Sequence, residues 1–178
     1  MTIIVQKGDP VLRQISKEVP KEEICTPKLA KIIKNMKEAL DGQDDGVAIA
    51  APQIAVPLRI FIISGKVLSL NYPDLKEGEI IPPDMVFINP TITKLSREKK
   101  DMSEGCLSVR WLYGTTKRST KATVRALDEN GKSFTRGGSG TLAQAFQHEM
   151  DHLDGVLFVD NARNIEEVPP KPAQENVL

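Results

Sequence analysis

The stretch Q-H-E-M-D-H-L-D-G, from Gln147 to Gly155, contains both histidines of the 178-residue chain, four residues apart, with a glutamate directly after the first. On an α-helix, positions four apart lie about 40° from one another around the axis. His148 and His152 therefore point the same way, and Glu149 sits at the edge of their face. Two imidazoles so placed can grip one metal ion, and the neighbouring carboxylate can reach an activated water without being a ligand. The competing reading is a solvated helix whose histidines coincide by chance. Against it, Leu142, Ala145, Phe146, Glu149, His152 and Leu153 crowd one side, so the histidine face abuts a core. Buried imidazoles need polar partners, which a metal provides. Asp151 and Asp154 read as solvated helix charges.

A catalytic metal site usually has three protein ligands and one open position, and the chain has no third histidine. The candidates for the third ligand are Cys106 upstream and Glu166 or Glu167 downstream. The downstream pair stands just before Val168-Pro169-Pro170, which disfavours a second ligand-bearing helix. Cys106 lies in E-G-C-L-S, beside Gly105, which permits close backbone approach, at the start of a strand predicted over 105–109. A small buried hydrophobe is the alternative role for a lone cysteine.

Around this centre the rest of the chain reads as an α+β arrangement. Residues 26–42 form an amphipathic helix: Thr26 caps it, Pro27 suits the first position, and Leu29, Ile32, Ile33, Met36 and Leu40 recur at helical spacing. A second helix is expected over about 140–153, closed by Gly155. Strands are predicted at 58–63, 85–89, 91–98 and 105–109, with a Pro- and acid-rich loop from Asn71 to Asp84. The segment K-A-T-V-R-A-L-D-E-N-G-K-S-F-T-R reads as a hairpin about Asp128-Glu129-Asn130-Gly131.

Residues 1–167 are expected to be a single catalytic domain, and 168–178 a Pro-punctuated loose tail. With 24 basic and 24 acidic residues, the net charge of zero gives no broad footprint for nucleic acid or an anionic membrane. No apolar run approaches the roughly 20 residues of a membrane span. The N-terminus has neither a secretory core nor transit-peptide character, so the cytoplasm is expected. In that reducing compartment Cys25 and Cys106 would be free thiols, with Cys25 a packing residue.

Three motifs then resemble, in order, the signatures of peptide deformylases: G-V-A-I-A-A-P-Q (Gly46–Gln53), E-G-C-L-S (Glu104–Ser108) and Q-H-E-M-D-H (Gln147–His152). The opening I-V-Q-K-G-D-P-V-L-R is similar to that family's N-terminal segment, and the likeness runs from Ile4 to Asp160. The resemblance implies an α+β fold, with antiparallel or mixed sheets packed around the metal-binding helix. It implies removal of the formyl group from N-terminal formyl-methionine of new polypeptides. Cys106, His148 and His152 would hold one divalent ion, Fe²⁺ as the native metal, with Zn²⁺, Ni²⁺ or Co²⁺ as alternatives. Glu149 would be the general acid/base, with the Gln53 side chain and the Leu107 N–H stabilising the oxyanion. Substrate contacts are expected from Gly46, Val47 and Ala48, from Glu104, Gly105 and Tyr113, and from Thr141 and Gln144. Arg118 would support the site by pairing with Glu104. The partner would be a formyl-methionyl peptide or nascent chain, with transient ribosome contact and no nucleic-acid or membrane binding.

The chain departs from the family at several points. Ala48 and then Arg110-Trp111 stand where glycine and Pro-Gly are common. Thr141 replaces a large apolar residue beside the methionine pocket. The Pro-rich end stands where some members have a long helix. Two other readings remain at this stage: an H-E-x-x-H metallopeptidase with a downstream Glu ligand, and a metal- or peptide-binding module whose catalysis has lapsed. Retention of Glu149 argues against lapse.

Overall fold

The structure, a computed structural model, describes residues 2–69 and 82–169. Helix α1 spans Pro27–Asp41. Thr26 Oγ1 accepts from the Leu29 N–H, and Gly42 closes the last turn. Strand β1 is Ala48–Ala50, followed by one 3₁₀ turn over Ala51–Ile54, so the small apolar first motif is half strand and half turn. Then come β2 (Ile60–Ile63), a short α2 (Gly65–Ser69), β3 (Met85–Leu95), β4 (Lys99–Gly105), β5 (Leu112–Ser119), β6 (Lys121–Leu127), β7 (Ser133–Ser139), α3 (Gly140–Leu153) and β8 (Arg163–Glu167). One sheet has the order β1-β2-β3-β6-β7 and a second β4-β5-β8; every ladder is antiparallel.

The continuous apolar run of β2 has a direct cause: helices cover both faces of this part of the large sheet. Phe61 and Ile63 pack with Phe87 and Phe146 on the α3 side. Ile60 and Ile62 pack with Leu29, Ile33 and Met36 on the α1 side. On β1, Ala48 and Ala50 face α3 while Ile49 faces α1. The rings of Phe61 and Phe87 stack at 4.6 Å, and Phe146 meets Phe87 edge-on at 5.4 Å. Phe146 sits two residues before His148, so this aromatic cluster seats the histidine helix on the sheet.

Several expectations need correction. Residues 105–109 are not a strand: β4 ends at Gly105, and 106–110 form a turn in which the Val109 N–H donates to Cys106 O at 3.1 Å. The strands predicted at 85–89 and 91–98 are one strand with register shifts between Ile88 and Leu95. At its break Asn89 has φ +49° and exchanges two 2.8 Å hydrogen bonds with the Val19 backbone, beside Pro90, which has no N–H for the ladder. Strands β1, β5 and β8 were not anticipated, nor was β4 apart from Gly105. Strand β5 is rich in Thr, Lys and Arg; β8 is exposed along its whole length. Cys25 is exposed rather than packed, and both cysteines are free thiols. The predicted 71–84 loop falls mostly on residues 70–81, and the tail mostly on 170–178, outside the described residues.

Gly155 ends the region of α3 with φ +75°, and a Cβ there would meet Arg13 O at 2.7 Å, so only glycine fits. Phe146→Ala should cost about 3–5 kcal/mol of unfolding free energy by removing a ring that is 0% exposed. Urea denaturation checks this; a loss below about 1 kcal/mol would contradict the packing described.

Candidate metal centre and active site

Among the described residues, Cys106, His148 and His152 bring one donor atom each to within 4.8 Å of one another. Helix α3 supplies the two imidazoles from its buried face, their rings edge-on at 4.9 Å. The turn after β4 supplies the sulfur, 3.1 Å from His152 Nε2. Burial pushes the Cys106 thiol up, but the adjacent charges and hydrogen bonds of His152 and His148 prevail and hold it at about 5. The sulfur is therefore a thiolate at neutral pH, the form that binds metal. Glu149 Oε2, on the residue next to His148, and His152 Nδ1, on the ring side away from the sulfur, are buried with no hydrogen-bond partner among the described residues. One soft thiolate, two imidazoles and an unpaired carboxylate oxygen together fit a divalent transition metal with an activated water.

The imidazole of His148 is braced from behind. Its Nδ1 lies 2.6 Å from Glu104 Oε1. Glu104 is nearly sealed from water and also accepts from Arg118 Nη2 at 2.6 Å, Arg118 Nε at 3.0 Å and the Thr116 hydroxyl. Arg118 Nη1 donates to Asp151 at 2.6 Å. Burial raises the Glu104 carboxyl, but hydrogen bonds from His148 and Arg118 outweigh it and hold the group far below the usual range. The Glu104–Arg118 pair is thus buried, not a surface pair, and Asp151 belongs to its network rather than to solvent. Asp154 pairs with Arg59 at 2.7 Å on the exposed side. Glu149 differs: burial lifts its carboxyl to about 7 against the opposing pull of His148 and His152.

A cavity of about 270 Å³ opens over this cluster, lined by His148, Glu149, Cys106, Leu107 and Gln53 at its base. Val47, Ala48, Glu104, Gly105, Tyr113, Thr141 and Gln144 also line it. Gly46 does not; a Cβ on it would strike Leu40 Cδ1 at 2.9 Å and Gln43 Cβ at 3.1 Å, so its glycine serves packing against α1. Gly105 makes room for the Tyr113 ring, 2.7 Å from where a Cβ would be. Ala48 sits in β1 without positive φ, so its methyl imposes no backbone strain. Gln144 Nε2 donates to Ser103 O at 2.7 Å. Gln53 Oε1 accepts from the Ala50 N–H at 2.8 Å, which turns its NH₂ toward Ser108 Oγ (3.1 Å) and Cys106 Sγ (3.6 Å). The Leu107 N–H has no acceptor among the described residues. Glu166 and Glu167 lie on exposed β8, paired with Tyr113 and Leu112, and are not part of the metal cluster.

Sequence reasoning missed Gln6. Its Nε2 donates to Leu107 O at 3.0 Å and its Oε1 accepts from the Arg110 N–H at 3.4 Å, so one side chain spans the turn that carries Cys106. Backbone bonds from Val5 N–H to Gln53 O and from Lys7 N–H to Ser108 O add to the brace. The only signal in the sequence was the family likeness of the opening segment, which carried no role for Gln6.

The fold and this donor set define an H-E-x-x-H metallohydrolase with a cysteine as third candidate ligand. A family model described as polypeptide deformylase matches residues 1–168. A peptide deformylase of Carboxydothermus hydrogenoformans is 41% identical over 162 residues, covering 91% of this chain and 93% of that one. The Met-Ala-Ser-bound crystal structure of a peptide deformylase from Acinetobacter baumannii is 30% identical with a TM-score of 0.76, covering 90% of this chain and 99% of that one. The peptide deformylase from Synechococcus elongatus in complex with actinonin is 33% identical with a TM-score of 0.75, covering 90% and 78%. The chain belongs to the polypeptide deformylase family.

Arg118→Met should destabilise the protein by about 3–5 kcal/mol, because it leaves the Glu104 carboxylate buried without its cation. The same change should weaken metal affinity about 10–100-fold through loss of the brace on His148. Denaturation and competitive metal titration measure the two effects. Wild-type metal affinity in the variant would show that the brace is dispensable.

Proposed function

We propose that this chain removes the N-terminal formyl group from formyl-methionyl peptides of newly made proteins, releasing formate, with Cys106, His148 and His152 holding one divalent ion. The observation that carries this reading is the three-donor cluster of Cys106, His148 and His152, with Glu149, whose buried Oε2 is unpaired among the described residues, lining the same cavity as Cys106 and His148. The bound ion supplies Lewis acidity that makes water a nucleophile near neutral pH. A thiolate in the donor set suits Fe²⁺, taken as the native ion, with Zn²⁺, Ni²⁺ or Co²⁺ as substitutes.

Glu149 takes a proton from the attacking water and returns it to the leaving amine as the C–N bond breaks. A carboxyl lifted to about 7 is suited to both transfers. As the formyl carbon becomes tetrahedral its oxygen gains charge; the Leu107 N–H and the Gln53 NH₂, the latter by turning from Ser108 Oγ, donate to it, with roughly 2.7–4 kcal/mol at stake per donor. The peptide lies in the groove along Val47 and Ala48, facing Gly105 and Tyr113, and Thr141 and Gln144 border the methionine side chain. A pocket made more polar by Thr141 lowers methionine preference by about 1–3 kcal/mol. Residues 1–167 act as one catalytic domain, working in the cytoplasm on nascent chains in passing contact with the ribosome. No helix among the described residues is long and apolar enough to cross a membrane. The metallopeptidase alternative loses its ligand, since Glu166 and Glu167 are exposed on an edge strand and outside the donor cluster.

Anaerobically prepared protein loaded with iron, nickel or zinc should release free amine from formyl-Met-Ala-Ser. No turnover with any of the three would overturn the reading. Glu149→Ala should keep the metal and lose about 10²–10⁴-fold in kcat, whereas Cys106→Ser should lose the metal itself. If Cys106→Ser binds metal as the wild type does, the third ligand lies elsewhere.

A further inference from the structure

The turn beyond the Cys106 motif carries Arg110 and Trp111, and the structure joins the two side chains in one feature. The Arg110 guanidinium donates to both carboxylate oxygens of Asp45, at 2.6 and 3.1 Å, and to Gln43 Oε1 at 2.6 Å. Its carbon lies 5.1 Å from the centre of the Trp111 ring. Trp111 has φ +57°, a conformation that side chains with a β-carbon adopt at a cost and keep only where the surroundings enforce it. The hydrogen bond from Arg110 holds the Asp45 carboxyl below its usual range.

Position gives this cluster its meaning. Asp45 stands three residues before Ala48, at the head of the strand that forms one wall of the groove. Arg110 stands four residues after Cys106, on the facing wall, and both residues line the same cavity. The walls come from different sheets: β1 is the edge strand of the five-stranded sheet, and the turn follows β4 of the three-stranded one. At the base they are tied through the N-terminal segment, by the bonds from Val5 to Gln53 and from Lys7 to Ser108. At the rim the bidentate Arg110–Asp45 pair is the tie, with Arg110 largely covered and Asp45 half exposed.

We infer that Arg110 and Asp45 form a clasp that holds the groove at the width of an extended peptide, which makes Arg110 a positioning residue for the part of the substrate beyond the formyl group. The inference rests on the deformylase reading for the identity of that substrate. The clasp touches none of the reacting groups, so its effect falls on substrate binding and not on the chemical step. A planar guanidinium suits this role better than an ammonium, because it engages both carboxylate oxygens and the indole face together.

Asp45→Ala and Arg110→Ala should each raise KM for formyl-Met-Ala-Ser about fivefold while kcat stays within about twofold. The double variant should be no worse than Arg110→Ala, which already removes the whole Arg110–Asp45 contact. Amide hydrogen exchange over residues 43–48 should quicken in Arg110→Ala and in the milder Arg110→Gln, with α3 unchanged. Metal content and melting temperature should match the wild type in all four variants. Additive effects on KM, a KM change below about twofold, or a loss of metal or melting temperature would each overturn the clasp. Unchanged exchange over 43–48 would do so whether or not the protein deformylates. An inactive wild type strikes the deformylase reading alone and leaves the exchange test standing.

Discussion

The Glu104 carboxylate is a charge nearly sealed from water at the place where three elements meet: the end of β4, the middle of β5 and the histidine face of α3. Such a charge is tolerable only when its lone pairs are filled by well-aligned donors. Arg118 fills two positions, Thr116 a third, and His148 Nδ1 a fourth. The arrangement therefore binds the small sheet to the helix, and it fixes which nitrogen of His148 faces the metal cluster. The strand that carries Glu104 leads directly into Gly105 and Cys106, so the same carboxylate also sets where the sulfur lies.

The large sheet provides the opposing half. Its β1 and β2 strands are buried on both faces, and the aromatic cluster of Phe61, Phe87 and Phe146 gives α3 a rigid seat. A helix so seated can present His148, Glu149 and His152 inward without the freedom to turn them toward water. The site is thus assembled from two sheets that share no ladder. The cavity lies in the gap between them, spanned by the N-terminal segment at the base, through the bonds from Val5 to Gln53 and from Lys7 to Ser108, and by Arg110–Asp45 at the rim.

Legibility in the sequence followed the range of the forces involved. Helix α1, with its Thr26 cap and Gly42 stop, and the hairpin about Asn130-Gly131 were readable because local spacing and turn chemistry specify them. Strand β5 was not: its T-T-K-R segment has no apolar alternation because its inward side chains, Thr116 and Arg118, are polar groups filling the needs of Glu104. Strand β8 escaped for a related reason. It is an exposed edge strand whose pairing with β5 comes from backbone hydrogen bonds, which leave no mark in side-chain pattern. The strand predicted at 105–109 failed because L-S-V is apolar for packing in a turn, where Ser108 and Val109 are buried without belonging to a ladder.

By itself the sequence determined the chemistry on offer: two histidines at helical spacing, a glutamate beside them and one cysteine in a glycine-flanked motif. Those are local facts of residue type and interval, and they also carried the resemblance to a family. Only the tertiary structure decided which distant groups meet. It set Glu104 behind His148, exposed Glu166 and Glu167 away from the centre, assigned Gly46 to packing, and brought Asp45 to Arg110 across the groove. These pairings join residues tens of positions apart, where burial and desolvation act on whatever the fold brings together. No periodicity or motif spacing records that outcome.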